Sequence, residues 1–219
     1  GAALTLSRAV LSDNRYGALS ADGADTTVDI QDLLITQTRP TATGVAGLGI
    51  MLYEGAALTL SRAVLSDNHL GALSADGADT TVDIQDLLVT RTKGGPTSEG
   101  ADLFGFGLYL EGGSQLTLAR GQIINNLGVG LLAIDPGTHA DIEELLIRGT
   151  QPTPDGYFGD GATFQGGEQG GAGFTLTRSA IIDNHRFGIC FQFVTGEARE
   201  ILVSGTKAGV EQFGDGLMV

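Results

Sequence analysis

Short stretches in which apolar and polar residues alternate recur along the whole chain. In segment 4–14, LTLSRAVLSDN, and in segment 28–38, VDIQDLLITQT, an apolar residue stands at every second position on each side of a charged residue. A period of two is typical of strands with one buried face. Because Gly, Asn and Asp separate the segments, the pattern predicts an all-β protein of many short strands with no long helix.

A repeat relates these segments to one another. Residues 1–38 recur as 55–92 with only four changes, a third copy runs through 113–150, and a diverged fourth copy spans about 173–206. Each copy is itself double, since its two halves align without a gap. Such a repeat predicts a β-solenoid of about eight coils arranged as four two-coil repeats.

The repeat also predicts the domain organisation. We assign residues 1–219 to a single solenoid domain whose repeats cover about 1–54, 55–111, 112–165 and 166–219. Because the chain begins without Met and stops within a strand pattern, we expect it to be a fragment of a longer chain.

Two apolar rows follow from the alignment of the coils. The residues predicted to face the interior of the first two coils are Leu4, Leu6, Ala9, Leu11, Val28, Ile30, Leu33 and Ile35. A second row, predicted to face outward, comprises Val10, Leu34, Val64, Leu88, Gln122, Leu146, Ala180 and Leu202. Exposed apolar strips of this kind mark contacts.

An Asn or a Thr marks the corner after each alternating segment. This corner row comprises Asn14, Thr38, Asn68, Thr92, Asn126, Thr150, Asn184 and Thr206. Asn tolerates left-handed backbone and its amide can bond the backbone or amide of the next coil, so the row predicts a structural ladder. On these residues the chain resembles the right-handed parallel β-helix superfamily that includes the pectate lyases, through its short coils of the type LTLSRAVLSDN followed by Gly. The resemblance implies a right-handed parallel β-helix.

A row of charged residues alternates strictly in sign from coil to coil. We call it the charge row, and it comprises Arg8, Asp32, Arg62, Asp86, Arg120, Glu144, Arg178 and Glu200. Adjacent strands lie about 4.8 Å apart, so each arginine is expected between two carboxylates. We interpret the row as a structural ladder that determines which coil follows which.

Long loops leave the same corner of every second coil, over 39–48, 93–106, 151–160 and 207–215. Insertions on one flank of a repeat array often form its binding face. The candidate binding residues there are Phe104, Phe106, Asp155, Tyr157, Phe158, Asp160, Phe213 and Asp215, with further acids at Glu99, Asp102 and Glu211. Aromatic rings beside carboxylates suit sugars, although the same rings could simply cover the side of the coil.

Composition and charge exclude several classes of partner. The 26 acidic and 12 basic residues give a net charge of −14, which disfavours nucleic acid and anionic membranes. No apolar run is long enough for insertion into a membrane. Cys190 is the only cysteine, so it forms no disulfide within these residues and is expected to be buried.

No metal, cofactor or catalytic set is predicted. The acidic turns at 22–25 and 76–79 could offer oxygen ligands to Ca²⁺, but the third copy has Ile134 and Gly137 at the equivalent positions. The characteristic motifs of polygalacturonase-like enzymes are absent, and the best unique carboxylates are Asp155 and Asp160.

The leading hypothesis is a non-catalytic secreted or cell-surface module, acting as a scaffold or adhesin and binding polysaccharide through its loop flank. One alternative is a polysaccharide lyase or glycoside hydrolase of the β-helix type whose site lies partly outside these residues. Another is a self-assembly module that contacts itself or flanking coils through its end coils or through the Val10 row.

Overall fold

The computed structural model describes residues 1–44, 46–96, 103–167, 170–210 and 213–219. Across these ranges the chain forms strands, turns and irregular connections, and it contains no helix that could span a membrane.

Two large sheets contain nearly all of the strands. The first, the long-strand sheet, has eight strands of ten residues: β1 (Ala3–Ser12), β3 (Thr27–Thr36), β5 (Ala57–Ser66), β7 (Thr81–Thr90), β11 (Gln115–Ile124), β13 (His139–Arg148), β16 (Gly173–Ile182) and β18 (Thr195–Ser204). The second, the short-strand sheet, has β2 (Gly17–Asp22), β4 (Leu48–Tyr53), β6 (Gly71–Asp76), β10 (Phe106–Glu111), β12 (Val129–Ile134), β14 (Asp160–Gly167), β17 (Arg186–Gln192) and β19 (Gly214–Met218) on its main path. Three two-residue strands complete the set: β8 (Gly95–Pro96) and β9 (Leu103–Phe104) pair with each other, and β15 (Gly170–Gly171) pairs antiparallel with β14.

The order of pairing shows a solenoid. Each long strand pairs in parallel with the preceding and following long strands, and the chain passes through one short strand on the way. The registers repeat without slippage: Val28 lies opposite Leu58 between β3 and β5, and Leu58 lies opposite Val82 between β5 and β7. The prediction of an all-β parallel β-helix is therefore confirmed.

A left-handed residue bends every long strand at its centre. The eight residues of the charge row all have φ between 47° and 60°. In a regular strand the inward positions 4 and 6 would be followed by 8 and 10, which would bury Arg8. The left-handed residue shifts the alternation by one, so that Ala9 and Leu11 face inward and the arginine stays outside.

The core lies between the two sheets. The long strands bury the predicted inward residues, such as Ile30 and Leu60, and the short strands add Ile50, Leu73 and Leu108. On the edge strand β1 the same positions are uncovered, and Leu4 is 40% exposed. Near the other end three rings, Phe164, Phe174 and Phe191, fill the interior with centroids 4.5 to 5.7 Å apart.

The asparagines of the corner row accept hydrogen bonds from the preceding coil, where the next coil was predicted, and their backbone conformation also differs from the prediction. Asn68 Oδ1 accepts the Thr38 N–H at 3.1 Å, and Asn126 and Asn184 accept the equivalent bonds from Thr92 and Thr150 at 2.9 Å. The expectation that these asparagines take left-handed backbone is wrong. That conformation belongs to the preceding residue, which turns the chain while the Asn side chain enters the core: Asp13, Asp67, Asn125 and Asp183.

Candidate functional site

The charge row forms paired ions on the outside of the long-strand sheet. Each arginine on an interior strand contacts the acid of the preceding strand: Arg62 with Asp32 at 2.6 Å, Arg120 with Asp86 at 2.6 Å, and Arg178 with Glu144 at 3.4 Å. Arg178 also forms an ion pair with Glu143. The acid of the following strand acts only through space. The expected symmetric position between two bonded carboxylates is therefore not what the structure has.

An open groove of about 450 Å³ runs beside the charge row. The row forms one wall, and Val64, Leu88 and Leu146 of the outward apolar row form the other. These apolar side chains are half-buried, whereas Val10 and Leu202 of the same row, on the edge strands, are exposed. The arginines along the groove already form ion pairs with acids, so their charges are not available to bind an anionic ligand.

The outer face of the short-strand sheet carries a line of aromatic rings in contact, the outer aromatic cluster. Its members are Phe104, Phe106, Tyr109, Phe158, Phe187 and Phe213. Consecutive centroids lie 5.2 Å apart for Tyr109 and Phe106, 6.2 Å for Phe106 and Phe104, and 5.0 Å for Phe104 and Phe158.

An arginine connects the two halves of this cluster. The Arg186 guanidinium lies 5.0 Å from the Phe158 centroid and 5.0 Å from the Phe187 centroid, and Phe187 in turn lies 6.0 Å from Phe213. Arg186 Nε donates to Asp160 Oδ1 at 2.8 Å, and its Nη2 donates to the other carboxylate oxygen. Only 1% of the Asp160 side chain is exposed, so the cation is held in place by a buried acid.

Local sequence explains how the rings reach the outer face. Phe106 is the first residue of β10 and lies in register with Gly71, the first residue of β6. A side chain at position 71 would overlap the Phe106 ring. The ring therefore lies flat over its neighbour and packs with Leu48 and Met51 of β4.

A tyrosine–carboxylate patch adjoins the cluster at the other end of the same strands. Tyr53, Asp76 and Glu111 are the last residues of β4, β6 and β10 and lie in register. Tyr109 Oη donates to Glu111 Oε2 at 2.7 Å, and Asp135 lies nearby. Neither Asp76 nor Glu111 forms an ion pair within the described residues.

The surroundings raise the pKa values of Glu111, Tyr109 and Tyr53 in this patch. Burial raises the pKa of Glu111, the Tyr109 hydrogen bond opposes that rise, and repulsion from Asp76 and Asp135 adds to it. Burial also raises the pKa of Tyr109 and of Tyr53. The two phenols therefore remain neutral donors beside carboxylate acceptors.

We compared the chain with protein-family models, with curated proteins and with solved structures. None of them matches. The fold class is therefore assigned from the sheet topology, and the candidate site is assigned from the geometry of its own residues.

The structure brings some of the predicted loop residues together and separates others. Phe104, Phe158 and Phe213 belong to the outer aromatic cluster, as does Phe106. Phe106 and Asp160 are not loop residues, however. They begin β10 and β14 and are 4% and 0% exposed, because the short strands start earlier than the loop boundaries predicted.

The remaining predicted residues are not members of the cluster, although Tyr157 directly precedes Phe158 and Asp215 lies in register with Phe187. Asp155 accepts hydrogen bonds from Thr153 Oγ1 and from the Tyr157 N–H, which closes a tight turn. Tyr157 is exposed on that turn, and Asp215 is exposed on β19. Asp155 and Asp160 do not form an acid–base pair, since each carboxylate is occupied by its own donors. Glu99, Asp102 and Glu211 lie outside the described residues.

Sequence reasoning missed the tyrosine–carboxylate patch and Arg186. The repeat conceals the patch because Asp76 recurs as Asp22 in GALSAD, and both belong to the acidic turns that were considered only as Ca²⁺ ligands. The sequence does carry a signal for the patch, because segments 71–76 (GALSAD) and 106–111 (FGLYLE) both end in an acid. Pairing of these two strands places Asp76 beside Glu111.

Metal-ligand clusters and the single thiol were the remaining candidates for chemistry. No three His, Cys, Asp or Glu side chains among the described residues converge as metal ligands. Cys190 is buried, as expected, and burial raises the pKa of its thiol to about 11. A protonated, enclosed thiol is a poor nucleophile.

Proposed function

We propose that this chain is a non-catalytic, secreted or cell-surface β-solenoid module that binds polysaccharide through the outer face of its short-strand sheet. The observation that carries the proposal is the tyrosine–carboxylate patch. Two half-buried tyrosines, Tyr53 and Tyr109, stand beside Asp76 and Glu111, which form no ion pair in the part of the chain that the structure describes.

The chemistry of this patch suits a neutral glycan. The apolar face of a sugar ring packs against an aromatic side chain, while its hydroxyls donate to carboxylate oxygens. The net charge of −14 and the local acids repel polyanions. We therefore expect uncharged polysaccharides to bind in preference to uronate-rich ones.

The outer aromatic cluster supports the patch from one side. Phe106 contacts Tyr109 with centroids 5.2 Å apart, and Arg186 with Asp160 holds the far rings. Since most of these rings pack against one another, they act chiefly as a rigid base. A preorganised ring loses little entropy when a ligand binds.

Two arguments support right-handed winding of the coils. The likeness to the pectate-lyase-like superfamily implies it, and parallel connections within one sheet are right-handed in about 98% of cases. The likeness also supports the proposed location outside the cytoplasm.

A second candidate function within that superfamily is glycoside hydrolysis. It is favoured by Asp76 and Glu111 in register on adjacent strands, with the pKa of Glu111 raised as a general acid requires.

The test is a glycan array followed by calorimetric titration of the hits. Weak binding with a dissociation constant near millimolar is expected, about −4 kcal/mol. The double variant Tyr53→Ala/Tyr109→Ala should weaken binding at least about tenfold. Tyr157→Ala is the matched control, because this exposed tyrosine lies on a separate turn, and it should bind like the parent chain.

Three outcomes would overturn the proposal. Binding that survives the double variant but is lost in Tyr157→Ala would move the site to the loop flank. Release of reducing ends that disappears in Glu111→Gln would establish the hydrolase instead. Calcium-dependent release of products absorbing near 235 nm would likewise replace the binding module with a lyase.

A further inference from the structure

Charges on the outer face of the long-strand sheet form a pattern that is complementary to its own reverse. Across the interior strands β5, β7, β11 and β13 the charge row has the order Arg62, Asp86, Arg120, Glu144. The reversed row begins with an acid, so every position meets the opposite sign. The centre of this pattern lies between β7 and β11, midway between Asp86 and Arg120.

The other outward rows of the six interior strands follow the same rule. One row alternates Asp with Thr, in the order Asp29, Thr59, Asp83, Thr117, Asp141 and Thr175. Reversal about the same centre places each of these aspartates opposite a threonine hydroxyl, which can donate to it. In the outward apolar row, reversal places Val64 opposite Leu146. No two like charges of these strands then lie directly opposite each other.

The groove beside the charge row gives this face an uncovered apolar strip. Val64, Leu88 and Leu146 line the groove and are only half-buried within one chain. Six strands of ten residues, spaced about 4.8 Å apart and rising about 3.3 Å per residue, present a face of about 950 Å². A stable interface of standard size buries about 800 Å² of each partner, so this face is large enough to form one.

From this self-complementarity we propose that two copies of this chain dimerise face to face through their long-strand sheets, with their solenoid axes antiparallel. The two-fold axis runs along the strand direction between β7 and β11, so each outward row faces its own reverse. Arg62 of one copy then lies opposite Glu144 of the other, and Asp86 lies opposite Arg120. Because both copies use the same surface, the contact closes at two copies.

In this dimer the charges determine the orientation, and the apolar strip contributes attraction. A single anion meets arginines that already bond an acid, as Arg120 bonds Asp86. A reversed second row instead presents the opposite sign at every strand, and such complementarity gives an interface its specificity. With the axes parallel, each strand would meet its own copy, and every charge would lie level with an identical one. The short-strand sheet stays uncovered, so this inference is independent of glycan binding.

The test is sedimentation velocity of the 219-residue chain over a range of concentrations in about 0.15 M salt, where screening reduces the repulsion between copies beyond about 8 Å. We expect the mass to rise with concentration and to level off at twice that of one chain. Arg62→Glu places two acids opposite each other, and Glu144→Arg places two arginines opposite each other. The two-fold axis repeats each repulsion, so each variant should weaken dimerisation by about tenfold or more.

The decisive arm mixes the two single variants, after circular dichroism has shown that each is folded. Arg62→Glu copies and Glu144→Arg copies repel their own kind but complement each other at both contacts, so mixing should restore dimerisation. Lys93→Glu is the matched control, since it changes the net charge as much as Arg62→Glu but lies beyond the end of β7, and it should dimerise like the parent. A chain that stays monomeric at every concentration, or single variants that dimerise like the parent, would overturn the proposal. So would a mixture that fails to recover.

Discussion

The ion pair beneath the outer aromatic cluster allows a sharp test of what holds this face together. Arg186 bonds Asp160 through both of its carboxylate oxygens and lies 5.0 Å from two phenylalanine rings. The substitution Arg186→Met keeps the length of the side chain but removes its charge and its donors. Asp160, of which 1% is exposed, then remains as a buried carboxylate with Thr163 as its remaining side-chain donor at 3.3 Å.

The size of the effect follows from that burial. Breaking a buried pair by removing one partner costs about 3–5 kcal/mol, because the remaining charge has lost its water without compensation. In a protein of this size 1 kcal/mol corresponds to about 2–4 °C, so the Tm should fall by about 6–20 °C. The double variant Asp160→Asn/Arg186→Met removes both charges and should recover most of this loss, since Asn still accepts from Thr163.

The assay is thermal and urea unfolding followed by circular dichroism, with Arg120→Met as the matched control. Arg120 makes an equally direct bond to Asp86, but both side chains are about half exposed, so its loss should lower the Tm far less. If Arg186→Met were no more harmful than Arg120→Met, the pair would not stabilise the cluster. If the double variant were as unstable as the single one, the buried charge would not be the cause.

Two further predictions concern the core and the patch. Leu118→Ala should lower the unfolding free energy by about 2–5 kcal/mol, because it leaves a cavity between the sheets. The same change at the half-buried Leu146 should cost clearly less in the same urea titration, and equal costs would contradict the inside and outside assignment. Glu111→Gln should raise the Tm at pH 7. Burial and repulsion from Asp76 and Asp135 raise the folded-state pKa of Glu111, so its ionisation costs stability as the pH rises through that value. Scans at several pH values should show this gain disappearing below about pH 4.5, the ordinary glutamate range, and a gain that persisted there would contradict the cause.

The periodic part of the sequence determined the architecture. Within each coil the apolar residues recur with a period of two, and the same pattern recurs in every coil. These two regularities favour one arrangement, in which identical strands stack in parallel and share one interior. Inward residues such as Ile30, Leu60 and Ile84 could be assigned from the alignment alone, since each position recurs in the same environment. The charge row and the corner row were visible for the same reason.

Tertiary structure alone decided the features that do not repeat. The left-handed charged residue that bends each long strand was not predicted, and at the corner the left-handed residue is the one before the expected Asn; neither residue type requires that conformation by itself. Tyr53, Asp76 and Glu111 are far apart in the sequence and become neighbours only through the register of β4, β6 and β10. Arg186 bonds Asp160 because their strands stack, although a loop pattern had predicted Asp160 to be accessible. A repeat determines which positions are equivalent, but contacts between its divergent residues depend on distances that exist only once the coils are stacked.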